Sequence, residues 1–377
     1  MSDNLRIAVL KERANGETRV AVTPDMVRKF AKLGAKVAVE QGAGQGASIS
    51  DADYAAAGAL VGAADFAVNN ASIALCVQGP DPQLLEGMVP GGWVVGTLDP
   101  FSQRSRIDEY AKAGLEAMAM EWMPRITRAQ SMDVLSSQSN LAGYKAVIAA
   151  ADLFGRAFPM MMTAAGTVSA ARVFVMGVGV AGLQAIATAR RLGAQVSATD
   201  VRSATREQIM SLGAKPIFVE NVAGIEGEGT GGYASEMSAE YQAAQAELVS
   251  AHIAKQDIVI TTALIPGKPA PRLVSDAQIA SMKPGSVIFD LAAPAGGNVE
   301  GSVADEVTVR HGVKILAYEN TPARLPADAS ALYAGNLYNF LSAFWDKDAG
   351  RPVLDAEIGD AIRLTQGGKV VNARLKD

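Results

Sequence analysis

Three glycines, one carboxylate and the spacing between them are the most chemically informative part of this chain. Gly177, Gly179 and Gly182 form G-x-G-x-x-G directly after an apolar, β-branched run at 172–176. Residues 183–192 then read as a helix and 195–198 as a strand, and Asp200 lies 18 residues past Gly182. Each element has a physical task. Gly177 permits a tight turn, Gly179 lets the backbone approach a pyrophosphate, and Gly182 brings helix and strand together. The helix N-terminus offers free N–H groups to phosphate oxygens. A carboxylate at Asp200 suits the 2′-hydroxyl of an adenosine ribose and repels a 2′-phosphate, so the pattern predicts NAD(H) rather than NADP(H). Arg202 is close enough to argue the other way, but Asp200 occupies the expected slot.

The bulk numbers exclude several classes. At 377 residues, 49% hydrophobic and 19% charged, the chain is long enough for two globular domains. A net charge of −5 without a basic run gives nucleic-acid binding little footing. The single cysteine, Cys76, lies in an apolar strand-like run and reads as a small buried hydrophobe, in keeping with a reducing cytosol. The first residues lack a signal-segment pattern. The most hydrophobic stretch, 146–162, contains Asp152, Arg156 and Pro159, so it does not read as a membrane span. His252 and His311 read as surface or structural histidines. No metal site is expected, because there is no H-x-x-x-H pair and no cysteine cluster.

Strand-like and helix-like segments alternate through the N-terminal region. Strands are predicted over 5–10, 36–40, 72–77, 92–98 and 115–120, with helices over 24–33, 51–57, 83–86 and 103–113. Thr23 before Pro24 is a cap-plus-first-turn signal. A glycine run at 42–46 follows the second strand rather than the first, and reads as a turn. A long helix over 140–154 leads into a second set of strands, over 172–176, 195–198, 215–219, 257–262, 286–291 and 313–318. A helix over 330–345 returns the chain to the first set. The expected fold class is α/β: two doubly wound, parallel-sheet, Rossmann-like domains linked by long helices. One domain takes 1–138 plus about 325–377; the NAD-binding domain takes 139–324. The glycine-dense stretch 224–232, with Tyr233 next, is either an exposed tether or a lid closing over nucleotide.

Residues 124–140 are dense in hydrogen-bonding groups and poor in periodicity. One reading is a solvated connector in which Asp133 or Ser139 caps the next helix. The other pairs Arg125 with Asp133 and presents the Gln130 amide to a nicotinamide or ribose.

The run from Pro124 to Asp133 resembles the Arg-Gln-Asp loop of the NAD-binding component, domain I, of proton-translocating NAD(P) transhydrogenase. Similar runs of that family occur at 136–144, 179–185, 231–234 and 261–271, and the resemblance extends from Lys11-Glu12-Arg13 to the helix over 331–340. The resemblance implies a complex in which this chain holds NAD(H), a partner subunit holds NADP(H), and a membrane partner conducts protons. It further implies a homodimer, cytoplasmic and peripheral at the inner membrane through those partners. By the same resemblance, Gln130 reaches towards the partner's NADP(H), Arg125 and Asp133 shape the nicotinamide pocket with Thr127 and Arg128 beside them, and Ser136 holds the carboxamide. Gly177, Val178, Gly179, Val180, Ala181 and Gly182, with Asp200, Val201 and Arg202, hold pyrophosphate and adenosine ribose. Gly232 and Tyr233 belong to the closing loop. Gln245, Ala263 and Leu264 line the adenosine side, although a solvated helix face for Gln245 and plain packing for the other two remain open from the residues themselves.

Hydride transfer between two nicotinamides requires no base, nucleophile or metal, only two rings held face to face at about 3–3.5 Å with water excluded. The chief rival is alanine dehydrogenase, of similar architecture, which uses a histidine acid/base and a lysine. Their positions fall by resemblance near Thr97 and at Cys76, where neither chemistry is available. A non-catalytic NAD-binding subunit is the third reading.

Overall fold

The computed structural model describes residues 5–219, 239–265 and 267–376. The chain divides into two compact units, Met1–Gln138 with Ala323–Asp377, and Ser139–Pro322. The first contains β1 (Arg6–Val9), α1 (Pro24–Lys32), β2 (Lys36–Glu40), α2 (Asp51–Ala56), β3 (Leu60–Gly62), α3 (Ala64–Val68), β4 (Ile73–Gln78), β5 (Trp93–Thr97), α4 (Arg104–Lys112) and β6 (Glu116–Ala119). Helix α5 (Val134–Leu153) runs across the boundary. The second unit follows with β7 (Met161–Thr163), β8 (Gly166–Val168), β9 (Arg172–Met176), α6 (Val180–Arg191), β10 (Gln195–Thr199), α7 (Thr205–Ser211), β11 (Lys215–Pro216), α8 (Ala239–Ile253), β12 (Ile258–Thr261), α9 (Asp276–Ser281), β13 (Val287–Asp290), β14 (Val307–Arg310) and β15 (Val313–Ala317). Helices α10 (Pro326–Ala343) and α11 (Ala356–Ile362) complete the first.

The first unit's sheet has the order β3-β2-β1-β4-β5-β6 with every pair parallel. Alternation along its strands sorts residues by size. Ile7, Val9, Val37, Val39, Ile73 and Leu75 face α1 and α10; Ala8, Ala38, Ala74 and Cys76 face α3 and α4. Both faces are apolar, as a parallel sheet covered on both sides requires. The glycines at 42–46 have packing tasks: a Cβ on Gly44 would lie 2.7 Å from the Tyr54 ring and one on Gly46 2.5 Å from the Thr18 carbonyl. Thr23 sits at the N-cap of α1 with Pro24 next, yet its side chain makes no cap bond. The short β3 and α3 are additions to the predicted elements.

The second unit's sheet runs β11-β10-β9-β12-β13-β15-β14, parallel except for the edge strand β14, which pairs antiparallel with β15. Val173, Val175, Val196, Ile258 and Ile260 pack against α5, α6 and α7, while Phe174, Val259, Ile288 and Ile315 pack against α8 and α9. Met176 lies level with Thr199 on one side and Thr261 on the other, so β9, β10 and β12 end flush. The chain order reverses between β9 and β12, and a crevice at such a point is where ligands of open α/β sheets bind. Neither β14 nor the β7–β8 ribbon was expected from the pattern, and the strand predicted over 215–219 is confined to β11. His252 is structural: its Nε2 lies 2.8 Å from Ser197 Oγ, and its ring meets Phe174 edge-on at 4.7 Å.

The first unit buries carboxylates at the C-terminal ends of its strands. Glu12 accepts from the backbone N–H groups of Val77 (2.6 Å) and Gln78 (3.1 Å). Glu121 Oε1 accepts from Leu98 and Asp99 N–H, while Oε2 is buried without a hydrogen-bond partner among the described residues. Burial pushes both carboxyls up to about 7. Burial would also raise Glu17, but hydrogen bonds and charge from Arg19 hold it at about 2. Groups raised in the folded state stabilise it fully below their unfolded value, and that contribution is lost as pH rises through the folded value. The stability that these two carboxyls contribute should therefore fall as pH climbs from about 5 to about 8. Glu121→Gln keeps an acceptor for the two N–H groups and removes the ionisation. It should melt higher than the parent at pH 8 and alongside it at pH 5; an unchanged gap across that range would show that Glu121 ionises without cost.

Candidate dinucleotide site

The strand β9 ends at Met176 and the chain turns at Gly177, whose φ of +99° is costly for any residue with a Cβ. The turn delivers the chain into α6, with Gly179 as N-cap. A Cβ on Gly182 would lie 1.9 Å from the Gly177 carbonyl oxygen, so the helix rests directly on the backbone of its own strand. A Cβ on Gly143 of α5 would lie 2.0 Å from the Ala181 carbonyl oxygen, so α5 also touches the first turn of α6. Gly179 differs. Nothing lies within 4 Å of a Cβ there, and Gly179 and Val180 are exposed. Its openness leaves room for a ligand over the first turn of α6, where the N–H groups have no intrahelical partner and no side chain caps them.

Asp200, 7% exposed, follows β10. Its Oδ2 accepts from Val178 N–H at 2.6 Å and from Arg202 Nη2 at 2.9 Å; its Oδ1 accepts from Arg202 N and Nε, each at 2.9 Å. Burial opposes the charge, but the Arg202 and Val178 donors prevail and hold the carboxyl below its ordinary range. Val201 is half-buried. Beyond β12, Thr262 Oγ1 donates to the Gly177 carbonyl at 3.0 Å. Ala263 is gripped through both backbone groups by the fully buried Asn298: its N–H donates to Oδ1 at 3.0 Å, and Nδ2 donates to its carbonyl at 2.9 Å. Leu264 is exposed, and Gln245 is half-buried on α8. The structure thus groups Gly177–Gly182, Asp200 and Ala263 at one sheet end. Gly232 and Tyr233 lie outside the described residues.

In the first unit, Thr127, Arg128 and Gln130 occupy a 3₁₀ turn, Thr127–Met132, exposed on one side and anchored by buried Ala129 and Met132 on the other. Arg125 is exposed. Arg128 pairs with Asp355 and Glu357 of the α11 region, which raises its already high pKa further. Asp133 precedes α5 and accepts from the Ser136 backbone N–H at 2.9 Å and hydroxyl at 2.6 Å. Both its oxygens thus serve the helix start, which is the capping role of the two that the residues leave open. That cap starts α5 at Val134, six residues before the predicted 140, and places Ser136 in its first turn.

Family models now settle the relationship. Residues 8–142 match "Alanine dehydrogenase/PNT, N-terminal domain" and 146–373 match "Alanine dehydrogenase/PNT, C-terminal domain". The chain belongs to the alanine dehydrogenase/PNT family. Within it, the chain is 51% identical over 381 residues to an NAD(P) transhydrogenase subunit alpha polypeptide of Rhodospirillum rubrum, covering 98% of this chain and 99% of that one. A solved transhydrogenase structure from Sinorhizobium meliloti matches with a TM-score of 0.88 and 53% identity, over 97% of this chain and all of the other. The alanine dehydrogenase of Mycobacterium tuberculosis is 30% identical over 85% of this chain and 82% of its own. Among described residues no helix is long and apolar enough to cross a membrane, and no group of three or more metal-binding side chains is found.

Sequence reading missed Thr262 and Asn298. The signal for Thr262 was slight, a hydroxyl at the end of a predicted strand, and its partner Gly177 lies 85 residues away. The two outer glycines of this family member have packing reasons and the middle one does not, which gives a test. Gly182→Ala should destabilise by about 1–3 kcal/mol through overpacking, while Gly179→Ala, which gives up only an N-cap preference, should cost less, about 0.5–1 kcal/mol. Equal losses in thermal denaturation would mean that Gly179 also serves the fold.

Proposed function

We propose that this chain is the NAD(H)-binding subunit of a proton-translocating NAD(P) transhydrogenase. It exchanges hydride directly with NADP(H) on a partner subunit, and a membrane partner couples that exchange to proton movement. The observation that carries the reading is Gly179, open above an uncapped helix N-terminus while Gly177 and Gly182 are bound into the fold. The high identity to a transhydrogenase alpha subunit supports the subunit role.

The donor set fits a non-phosphorylated dinucleotide. The first-turn N–H groups of α6 suit a pyrophosphate, and Asp200 suits a ribose hydroxyl while opposing a 2′-phosphate. When bound, the nicotinamide supplies a hydride donor or acceptor. The residues of this chain bind and orient. Val201, Arg202, Gln245, Ala263 and Leu264 border the adenosine side. Arg125, Thr127, Arg128, Asp133 and Ser136 shape the nicotinamide end, and Gln130 sets the distance to the partner's NADP(H). Gln130 is exposed on a turn anchored from behind, a placement suited to contact with a second subunit. The β7–β8 ribbon supports a homodimer: Met160, Met161, Met162 and Val168 are exposed, Met162 by 77%, and a second copy would cover such a surface. Peripheral association with the inner membrane on its cytoplasmic face would come through the partners.

Amino-acid dehydrogenation finds little support. Thr97 Oγ1 lies 3.3 Å from the Tyr333 hydroxyl, and Cys76 is buried with its Sγ–H donating to the Val95 carbonyl. Burial pushes that thiol far up, away from reactivity.

The chain mixed with a purified NADP(H)-binding partner should transfer hydride from NADH to an NADP analogue. Pyruvate- and ammonium-dependent oxidation of NADH by the chain alone would instead favour the dehydrogenase, and NADH binding with neither reaction a non-catalytic subunit. Asp200→Ala should weaken NADH binding by about 1–3 kcal/mol in calorimetry, since a charge-assisted acceptor is lost. Gln130→Asn should slow single-turnover hydride transfer with little change in NADH affinity; an unaltered rate rejects its distance-setting role.

A further inference from the structure

One peptide group in the glycine turn is held from both ends. The carbonyl of Gly177 accepts from the Thr262 hydroxyl at 3.0 Å, and the N–H of the next residue, Val178, donates to Asp200 Oδ2 at 2.6 Å. The peptide is planar, so fixing its two polar groups fixes the whole unit. Its oxygen lies under α6, where a Cβ on Gly182 would come within 1.9 Å of it. Thr262 Oγ1 fills the remaining space: it would lie 2.6 Å from a Cβ on Gly177 and 3.4 Å from one on Gly182. A flip of this peptide would point the oxygen at the Asp200 carboxylate and remove that carboxylate's shortest hydrogen bond.

Thr262 is itself well held. Its N–H donates to the Met176 carbonyl at 2.9 Å, extending the β9–β12 pairing by one residue. Alternation along the strand sends the preceding hydroxyl, Thr261, the other way, to Asp290 Oδ1 at 3.1 Å. The following residue, Ala263, is gripped by Asn298, which also donates to the Pro271 carbonyl at 2.7 Å.

We propose that Thr262 is a positioning residue for the dinucleotide: through the Gly177–Val178 peptide its hydroxyl holds Asp200 in the ribose slot and keeps the turn shaped for pyrophosphate. This rests on the proposed binding of NAD(H). Thr262 need not touch the nucleotide; it acts through a backbone group that links strand β12 to the carboxylate after β10.

Thr262→Val preserves shape and removes the donor, whereas Thr262→Ser preserves the donor. The Val variant should bind NADH and ADP-ribose about five- to tenfold more weakly by titration calorimetry, the scale of one net hydrogen bond. The Ser variant should bind both within about twofold of the parent. Amide hydrogen exchange at Val178 should quicken in the Val variant and not in the Ser variant; the full-length Ser variant should melt close to the parent, and the Val variant, which leaves the Gly177 carbonyl without its donor, somewhat lower. Parental affinity in Thr262→Val, or a Ser variant as weak as Val, would overturn the proposal, as would unchanged exchange at Val178. If the parent itself fails to bind NADH, the functional reading fails, while exchange at Val178 still reports whether Thr262 holds the peptide.

Discussion

The second unit depends on one close approach, the backbone of α6 resting on the backbone of β9 at Gly182 and Gly177. Any side chain at Gly182 would sit far inside van der Waals contact distance of a carbonyl oxygen. Because helix and strand meet without intervening side chains, the helix N-terminus is brought to the sheet end, next to the last residues of β10 and β12. The same contact buries the Gly177 carbonyl, which must then find a donor within the fold, as buried polar groups do. Thr262 supplies it. The turn, the carboxylate and the neighbouring strand are therefore consequences of one packing constraint.

What was legible in the sequence follows from how local each cause is. Central strands such as 172–176 are runs of apolar residues buried on both faces, so composition alone marks them, and β9 occupies the predicted residues. The edge elements escaped because their patterns are weak. Strand β14 alternates exposed and half-buried residues, and β3 is three residues long. The ribbon of β7 and β8 is exposed throughout and has little of the burial pattern that sequence reading detects. The start of α5 escaped for another reason: 134–140 carries serines and an asparagine that disfavour a helix by propensity, and the Asp133 cap overrides them.

The site divides in the same way. A glycine motif is legible because each glycine answers a constraint within a few residues of itself. The spacing that marked Asp200 could not show that its carboxylate accepts from Val178 and Arg202, nor that Thr262 and Asn298 fix the opposite wall. Those partners are joined by strand order, which places β9 between β10 and β12 although β12 is distant in sequence. Residues 124–140 were ambiguous because the same Asp133 suits a cap and a ligand. The cap is what the geometry displays, and the ligand role remains part of the proposal.

The first unit fills the ends of its strands with polar groups that pair with one another. Its sheet also reverses order, between β1 and β4, and polar groups gather at the strand ends there. Glu12 closes on the N–H groups of Val77 and Gln78, and Glu17 is bound to Arg19 and to the Gln78 amide at 2.8 Å. Arg19 also donates to Gln138, and the Tyr333 hydroxyl bridges the Cys76 carbonyl and the Thr97 N–H. These groups satisfy one another within the fold. A proton-shuttling enzyme needs a titratable group free to exchange with substrate. The proposed hydride exchange needs only two rings held in place, so a crevice filled with mutually satisfied charges is compatible with it.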